Sequence, residues 1–155
     1  MLRNTILAGV LGIVSASSVL AQTACPCAGG GGTRLTGAGE IATLLRGNTV
    51  CGILGTERWQ EFHRAGGALF EMGNVPNGEE VGTWDANNVG GERRITYSYG
   101  AGGSGGVYSY AVCQQGSNVH FCGAMFGGRD VTNATLVAGR NSCGFPVANG
   151  VRARP

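Results

Sequence analysis

The sequence predicts an all-β domain: an antiparallel meander of about eight short strands, forming a small barrel or a sandwich, with one short N-terminal helix. Short segments rich in aromatic and β-branched residues recur between residues 49 and 137, each bounded by Gly, Asn, Pro or Asp. No long helical pattern separates them, which argues against a parallel α/β sheet. The chain has 30 glycines, but 43% of its residues are apolar. The glycines therefore indicate tight turns and curved strands rather than disorder.

The N-terminus has the three parts of a secretory signal peptide, predicted over residues 1–21. Arg3 supplies the positive charge, and residues 5–14 form a short apolar run. Val19 and Ala21 then place small residues just before the expected mature N-terminus, Gln22. We therefore expect an exported protein that is periplasmic or secreted.

Two other interpretations of this segment are weaker. A membrane-spanning helix needs about 20 consecutive apolar residues, whereas this run is interrupted at Ser15. A lipoprotein stays open because Cys25 follows closely. However, Gln22 stands where a lipid-attachment signal would have a leucine-like residue. No membrane span is expected.

The rest of the chain is predicted to contain a glycine-rich linker over residues 22–34, one β domain over residues 35–143 and a tail over residues 144–155. Charge is nearly balanced, with 11 basic residues, all arginine, against 9 acidic ones. This balance lacks the excess of basic residues that binding to nucleic acid or an anionic membrane requires. The expected partner is an unidentified macromolecule such as a protein, and the expected assembly is a monomer or small homo-oligomer.

The helix is predicted over residues 37–46. Thr36 is the expected N-cap, with Leu35 packing back on the helix, and Gly47 is the expected left-handed C-terminal residue. Apolar residues at three- and four-residue spacing form one stripe: Ala38, Ile41, Leu44 and Leu45.

The strands follow without further helical pattern. They are predicted over residues 49–54, 58–64, 68–72, 81–85, 94–99, 107–114, 119–124 and 131–137. Glycine- and asparagine-rich turns separate them.

Six cysteines are expected to form up to three structural disulfides, because an exported chain meets an oxidising compartment. A hairpin turning at Ser117-Asn118 would place Cys113 opposite Cys122 in a non-hydrogen-bonded pair, close enough for a disulfide. The competing arrangement pairs one of these two cysteines with Cys51 or Cys143. The remaining cysteines, whose pairing the sequence leaves open, are Cys25, Cys27, Cys51 and Cys143.

Catalytic, cofactor and metal sites are not predicted. The two histidines, His63 and His120, are interpreted as half-exposed strand residues, with His63 sharing a face with Trp59 and Glu61. The two aspartates, Asp85 and Asp130, lie beside predicted turns. Metal sites need several converging ligands, and the Cys25-Pro-Cys27 spacing is tighter than that of a zinc knuckle.

Residues 100–106 form a glycine-rich run between two strand-like segments, which predicts a flexible hairpin tip rather than a phosphate loop. Each flanking strand carries two tyrosines on one face: Tyr97, Tyr99, Tyr108 and Tyr110. Packing in the core is the favoured interpretation, and a binding surface is the alternative.

Three motifs in this order carry a resemblance: residues 35–51, ending in Gly-Asn-Thr-Val-Cys, then Trp59-Gln-Glu-Phe-His63, then Gly82-Thr-Trp84. They resemble an uncharacterised family of small exported proteobacterial proteins, over roughly residues 35–125. This resemblance implies a short helix leading into a Gly-Asn-Thr strand, and no known activity. The architecture is more loosely similar to that of bacterial lysozyme inhibitors.

The leading functional prediction is a non-enzymatic exported binding module, in its most concrete form similar to a lysozyme inhibitor. The first alternative is a small-ligand carrier with a cavity inside the barrel. The second is a hydrolase whose site the sequence conceals.

Overall fold

The structure is a computed structural model that describes residues 25–28, 30–37, 39–54, 57–73 and 77–145. The predicted signal peptide lies outside these residues, as do the start of the predicted linker and most of the predicted tail.

Within these residues, nine strands and one α-helix follow a 3-10 turn at Pro26–Ala28. In chain order they are β1 (Thr33–Arg34), α1 (Glu40–Leu45), β2 (Asn48–Leu54), β3 (Glu57–His63), β4 (Ala68–Glu71), β5 (Glu79–Val89), β6 (Glu92–Tyr99), β7 (Gly106–Gln115), β8 (Asn118–Cys122) and β9 (Val131–Ala138).

Strands β2 to β9 form a closed, eight-stranded antiparallel barrel. Each strand pairs with the next along the chain, and β9 pairs back onto β2. The predicted meander of eight strands is therefore confirmed. The sequence left a barrel and a sandwich open, and the structure is a barrel.

The ninth strand, β1, belongs to the segment whose composition predicts a linker. Thr33 and Arg34 lie opposite Gln114 and Cys113 of β7, on the outside of the eight-stranded meander. The Leu35 N–H extends this pairing by donating to the Val112 carbonyl oxygen at 2.9 Å. The last part of the predicted linker is thus fastened to the barrel wall.

Three disulfides join distant parts of the chain: Cys25–Cys122, Cys27–Cys113 and Cys51–Cys143. The prediction that Cys113 pairs with Cys122 is wrong. The hairpin turns at Gly116-Ser117, one residue earlier than predicted, so Gln115 lies opposite Asn118 and Cys113 lies opposite His120. Gly116 has φ 59°, a conformation that glycine adopts without the steric cost of a side chain.

Helix α1 is shorter than predicted. Gly39 precedes it with φ 83°, so the N-cap is this glycine rather than Thr36. The C-terminal prediction is confirmed, because Gly47 follows with φ 76°. Ile41 and Leu45 are fully buried in the core, and they attach the helix to one end of the barrel.

The barrel core is built from alternate residues of the strands, as period-two patterning requires. Its largest fully buried side chains are Trp59, Tyr97, Tyr99, Tyr110, Phe121, Ile41, Leu45, Leu69, Ile95 and His63.

Candidate functional site

Strand β3 projects three side chains into the barrel: Trp59, Glu61 and His63. The prediction that they share one face is confirmed. The prediction that the histidines are half-exposed is wrong, since His63 is 0% and His120 1% exposed. Trp84 and Tyr97 from other strands pack on His63, and single-strand patterning does not reveal such contacts.

His63 is held in one tautomer by its two neighbours. The Glu61 carbonyl oxygen can only accept, so Nδ1 carries the proton and donates to it at 3.0 Å. Nε2 then accepts from the Tyr97 hydroxyl at 2.9 Å. Burial lowers the pKa of His63 to about 3. The imidazole is therefore neutral near pH 7, and its one acceptor site is already occupied.

Glu61 is the buried carboxyl group of this interior network. The Tyr99 hydroxyl donates to its Oε2 at 3.0 Å. Burial, and then the charge of Glu61, raise the pKa of both Tyr97 and Tyr99 well above the usual value, so both phenols remain protonated donors. The network fixes the orientation of these rings at the centre of the barrel.

Aromatic rings fill the space around this network. Trp59 packs edge-on against Phe121 with ring centroids 4.8 Å apart and against Tyr97 at 5.5 Å. Tyr110 meets Tyr97 at 5.9 Å. The core prediction is confirmed for Tyr97, Tyr99 and Tyr110, all at most 1% exposed, whereas Tyr108 is partly exposed. Two buried polar atoms of the described interior, Trp59 Nε1 and Tyr110 Oη, have no hydrogen-bond partner.

The predicted turn roles of the two aspartates have different outcomes. Asp130 Oδ1 accepts from the Ala124 N–H at 2.8 Å across the loop after β8, as turn chemistry predicts. Asp85 lies inside β5 rather than beside a turn, because that strand continues to Val89.

The cysteine sulfurs form a compact cluster on the outer wall. Those of Cys25, Cys27 and Cys122 lie within 4.8 Å of one another. Each is committed to a disulfide, and a disulfide sulfur is not the thiolate that binds metals.

A surface concavity of about 350 Å³ lies beside β7. We call it the β7 groove: residues 107–110 form one side, residues 126–128 of the loop after β8 form the other, and Arg94 contributes to its lining. The Arg94 guanidinium carbon lies 3.4 Å from the centre of the Phe126 ring. Val107, in the first segment, is 60% exposed, and Met125, which directly precedes the second segment, is 50% exposed.

Two other concavities lie elsewhere on the surface. One of about 510 Å³ is lined by residues of α1, the β3–β4 turn and β5, including Arg46, Trp84 and Asp85. Another of about 490 Å³ lies on β2 and β9, where Ile53 is 54% exposed.

In the sequence, the one sign of the β7 groove is Phe126, an aromatic residue in a glycine-rich loop. That signal alone does not predict a groove. The predicted hairpin tip does join β6 to β7, and its Gly105 N–H donates to the Tyr99 carbonyl oxygen at 2.7 Å.

No protein-family model, curated protein or solved structure matches this chain. The resemblances drawn from the sequence therefore stay hypotheses. Among the described residues, no helix has the length and apolar character needed to cross a membrane.

Proposed function

We propose that this chain is a non-enzymatic exported binding module that recognises another macromolecule through its outer surface. The observation that carries the proposal is the contrast between interior and exterior. Large buried rings occupy the centre of the barrel, whereas the β7 groove is open and lies beside exposed apolar side chains. Exposed apolar surface next to a concavity is typical of interaction sites.

The two alternatives receive less support. A carrier needs an apolar interior cavity of at least about 300 Å³, whereas large buried rings, among them Trp59, Tyr97 and Phe121, occupy the centre of this barrel. A hydrolase needs an available base, and His63 already accepts a hydrogen bond from Tyr97.

The proposed compartment is the periplasm or the extracellular space. Three disulfides support it, because such bonds persist in oxidising compartments. The Arg3 to Ala21 signal pattern points the same way.

Lysozyme inhibition is the most concrete form of this proposal, and it can be measured directly. Oxidised protein would be mixed in equimolar amount with a c-type lysozyme in a peptidoglycan turbidity assay. We expect a lysis rate at least about tenfold lower, which requires a Kd of at most about a hundredth of the concentration used.

A charge-insertion pair locates the surface involved. The variant Val107→Glu/Met125→Glu places carboxylates beside the β7 groove, and Ile53→Glu is the control, with comparable exposure on another face. We expect the double variant to abolish binding and Ile53→Glu to retain it. An unchanged lysis rate with wild-type protein would refute the lysozyme role. Equal binding by wild type and double variant would refute the proposed surface.

A further inference from the structure

The neighbours of β7 change half-way along the strand. Residues 106–110 pair with β6, and the pairing ends at Ile95 opposite Tyr110. On the other side of β7, pairing with β8 begins only at Ala111, which lies opposite Cys122. In the described chain, residues 106–110 therefore have a strand on one side only.

The direction of each backbone group follows from the antiparallel register. Neighbouring residues of a strand direct their N–H and C=O groups to opposite sides. The Val112 carbonyl accepts from Leu35 on the β1 side, so even-numbered residues of β7 face β6 and β1. Odd-numbered residues face β8, and beyond Ala111 these are Ser109 and Val107. Their N–H and C=O groups consequently point into the β7 groove.

The loop on the far side of the groove satisfies its own backbone groups. The N–H groups of Phe126 and Gly128 both donate to the Gly123 carbonyl oxygen, at 2.8 and 2.9 Å. The Arg94 guanidinium also stacks on the Phe126 ring of this loop. Within the described residues, no backbone hydrogen bond joins the wall to Val107 or Ser109.

We infer that the β7 groove takes an extended segment of a partner protein as an added strand, hydrogen-bonded to Val107 and Ser109. This inference rests on the proposed function and names the partner's chemistry. Unpaired strand edges commonly bind peptides in this way, with main-chain hydrogen bonds giving affinity and side-chain pockets giving specificity. Val107 and Phe126 beside the groove favour an aliphatic residue in the segment.

The groove volume favours a single segment over a second barrel. A strand residue occupies about 160 Å³, given a rise of about 3.3 Å, a strand spacing of about 4.8 Å and a sheet spacing of about 10 Å. The 350 Å³ of the groove therefore holds about two residues of one chain. Pairing with both Val107 and Ser109 takes a segment of three residues, because only alternate residues face the edge. The groove therefore holds the middle of one extended segment.

The test is amide hydrogen exchange measured by NMR on the oxidised protein. In the free protein, the amides of Val107 and Ser109 should exchange rapidly, while those of Tyr108 and Tyr110, which face β6, should be protected. Excess acetyl-Thr-Val-Thr-Val-Thr-amide should shift the Val107 and Ser109 resonances and slow their exchange by about fivefold or more. The same peptide with N-methylated valines should have no effect.

A matched pair of variants tests the same edge. Val107→Pro removes the N–H that faces the groove and leaves the β6 pairing in place, since proline is tolerated on strand edges. Val107→Ala keeps that N–H. Peptide shifts should be lost in Val107→Pro, whereas Val107→Ala, which loses only the side-chain contact, should still show them at a higher peptide concentration. Circular dichroism checks that both variants fold.

Three results would overturn the inference. Slow exchange of Val107 and Ser109 in the free protein at every concentration would mean that the chain covers its own edge. Slow exchange that disappears on dilution would mean that two copies pair. The third is absence of peptide-induced shifts in folded wild-type protein. Peptide binding without lysozyme inhibition would remove only the lysozyme role, whereas inhibition without edge protection would remove only the added strand.

Discussion

The two halves of β7 belong to one continuous strand, but they differ in what lies along their edges. Residues 111–115 have β8 on one side and β1 on the other, and Cys113 is joined to Cys27. Residues 106–110 have β6 on one side and the β7 groove on the other. Residues 111–115, the fastened half, are therefore held by a disulfide and by strands on both edges. Residues 106–110, the open half, pair with one strand only, and Tyr110 packs on Tyr97 inside the barrel.

The change occurs where β8 ends, at Gly123. A Cβ atom at this position would lie 2.4 Å from the Arg129 carbonyl oxygen and 2.6 Å from the Tyr110 ring. Only glycine fits this close approach. The chain turns away here into the groove wall, so a single small residue determines where the fastened half ends and the open half begins.

The largest expected effect comes from releasing the fastened half. The disulfides close loops of 86 to 97 residues, and one such loop closed on its own contributes about 4–5 kcal/mol in the chain-entropy account. In Cys27→Ser/Cys113→Ser the Cys25–Cys122 bond remains and still encloses the same segment, so the loss should be about 3 kcal/mol. Tm should therefore fall by about 10 °C. Full reduction should leave little of a typical 5–15 kcal/mol stability. Thermal melting with and without reductant measures both.

Hydrogen exchange shows whether this loss is local. In Cys27→Ser/Cys113→Ser, the Gln114 amide, which faces β1, should exchange faster, while the Tyr108 amide should not. If the reduced protein melts within a few degrees of the oxidised one, the disulfides contribute little to the stability of this half.

The second effect concerns the interior that supports the open half. His63 has a pKa of about 3 in the folded protein because it is buried, against 6.5 as its ordinary value. The unfolded chain therefore binds a proton below pH 6.5 that the folded protein does not, and stability falls as pH decreases from 6.5 towards 3. Between pH 7 and pH 5 the loss should be about 2 kcal/mol.

Urea unfolding at pH 7, 6 and 5 measures this dependence. A His63→Gln variant should be less stable at pH 7 and should lack most of the slope. His120→Gln is the control for the other histidine, whose pKa burial also lowers. A wild-type slope that His63→Gln preserves would assign the dependence to another group.

The third prediction compares one residue type in the two halves. Val112 is fully buried and Val107 is 60% exposed. Val112→Ala should cost about 2 kcal/mol, because it removes buried methyl groups and leaves a cavity. Val107→Ala should stay within about 0.5 kcal/mol, as is usual for an exposed position. Chemical denaturation gives both values, and equal costs would show that Val107 is covered.

The smallest expected effect lies at the junction of the halves. The Tyr110 hydroxyl is buried without a hydrogen-bond partner among the described residues. Removing it in Tyr110→Phe should be neutral or should stabilise the protein by up to about 1 kcal/mol, because an unpaired buried hydroxyl is unfavourable. A loss greater than about 1 kcal/mol in urea unfolding would reveal a partner for this group, such as a bound water.

Sequence patterning was sufficient for the strands and insufficient for their register. Each of the eight meander strands overlaps its predicted segment, although β5 continues beyond Asp85 to Val89. The hairpin between β7 and β8 differs by one residue in its turn, at Gly116-Ser117 instead of Ser117-Asn118. That single step moved Cys113 from opposite Cys122 to opposite His120, since register errors alter every cross-strand pair.

Other features depend on contacts that no local pattern encodes. His63 is buried because Trp84 and Tyr97 pack on it from other strands. Strand β1 has only Thr33 and Arg34, and the Cys27–Cys113 disulfide ties the preceding segment to the β7 residue opposite Arg34. The β7 groove likewise depends on where β8 stops relative to β7, a property of two strands together.

The spacing of the disulfides also constrains the order of events as the chain emerges N-terminus first. Cys25, Cys27 and Cys51 all have partners beyond residue 112. No native disulfide can close until Cys113 has emerged, by which point strands β2 to β6 are already present. Any disulfide formed earlier among Cys25, Cys27 and Cys51 is therefore non-native, and it must be broken before the native set can form. Correct pairing consequently waits until the second half of the barrel has emerged.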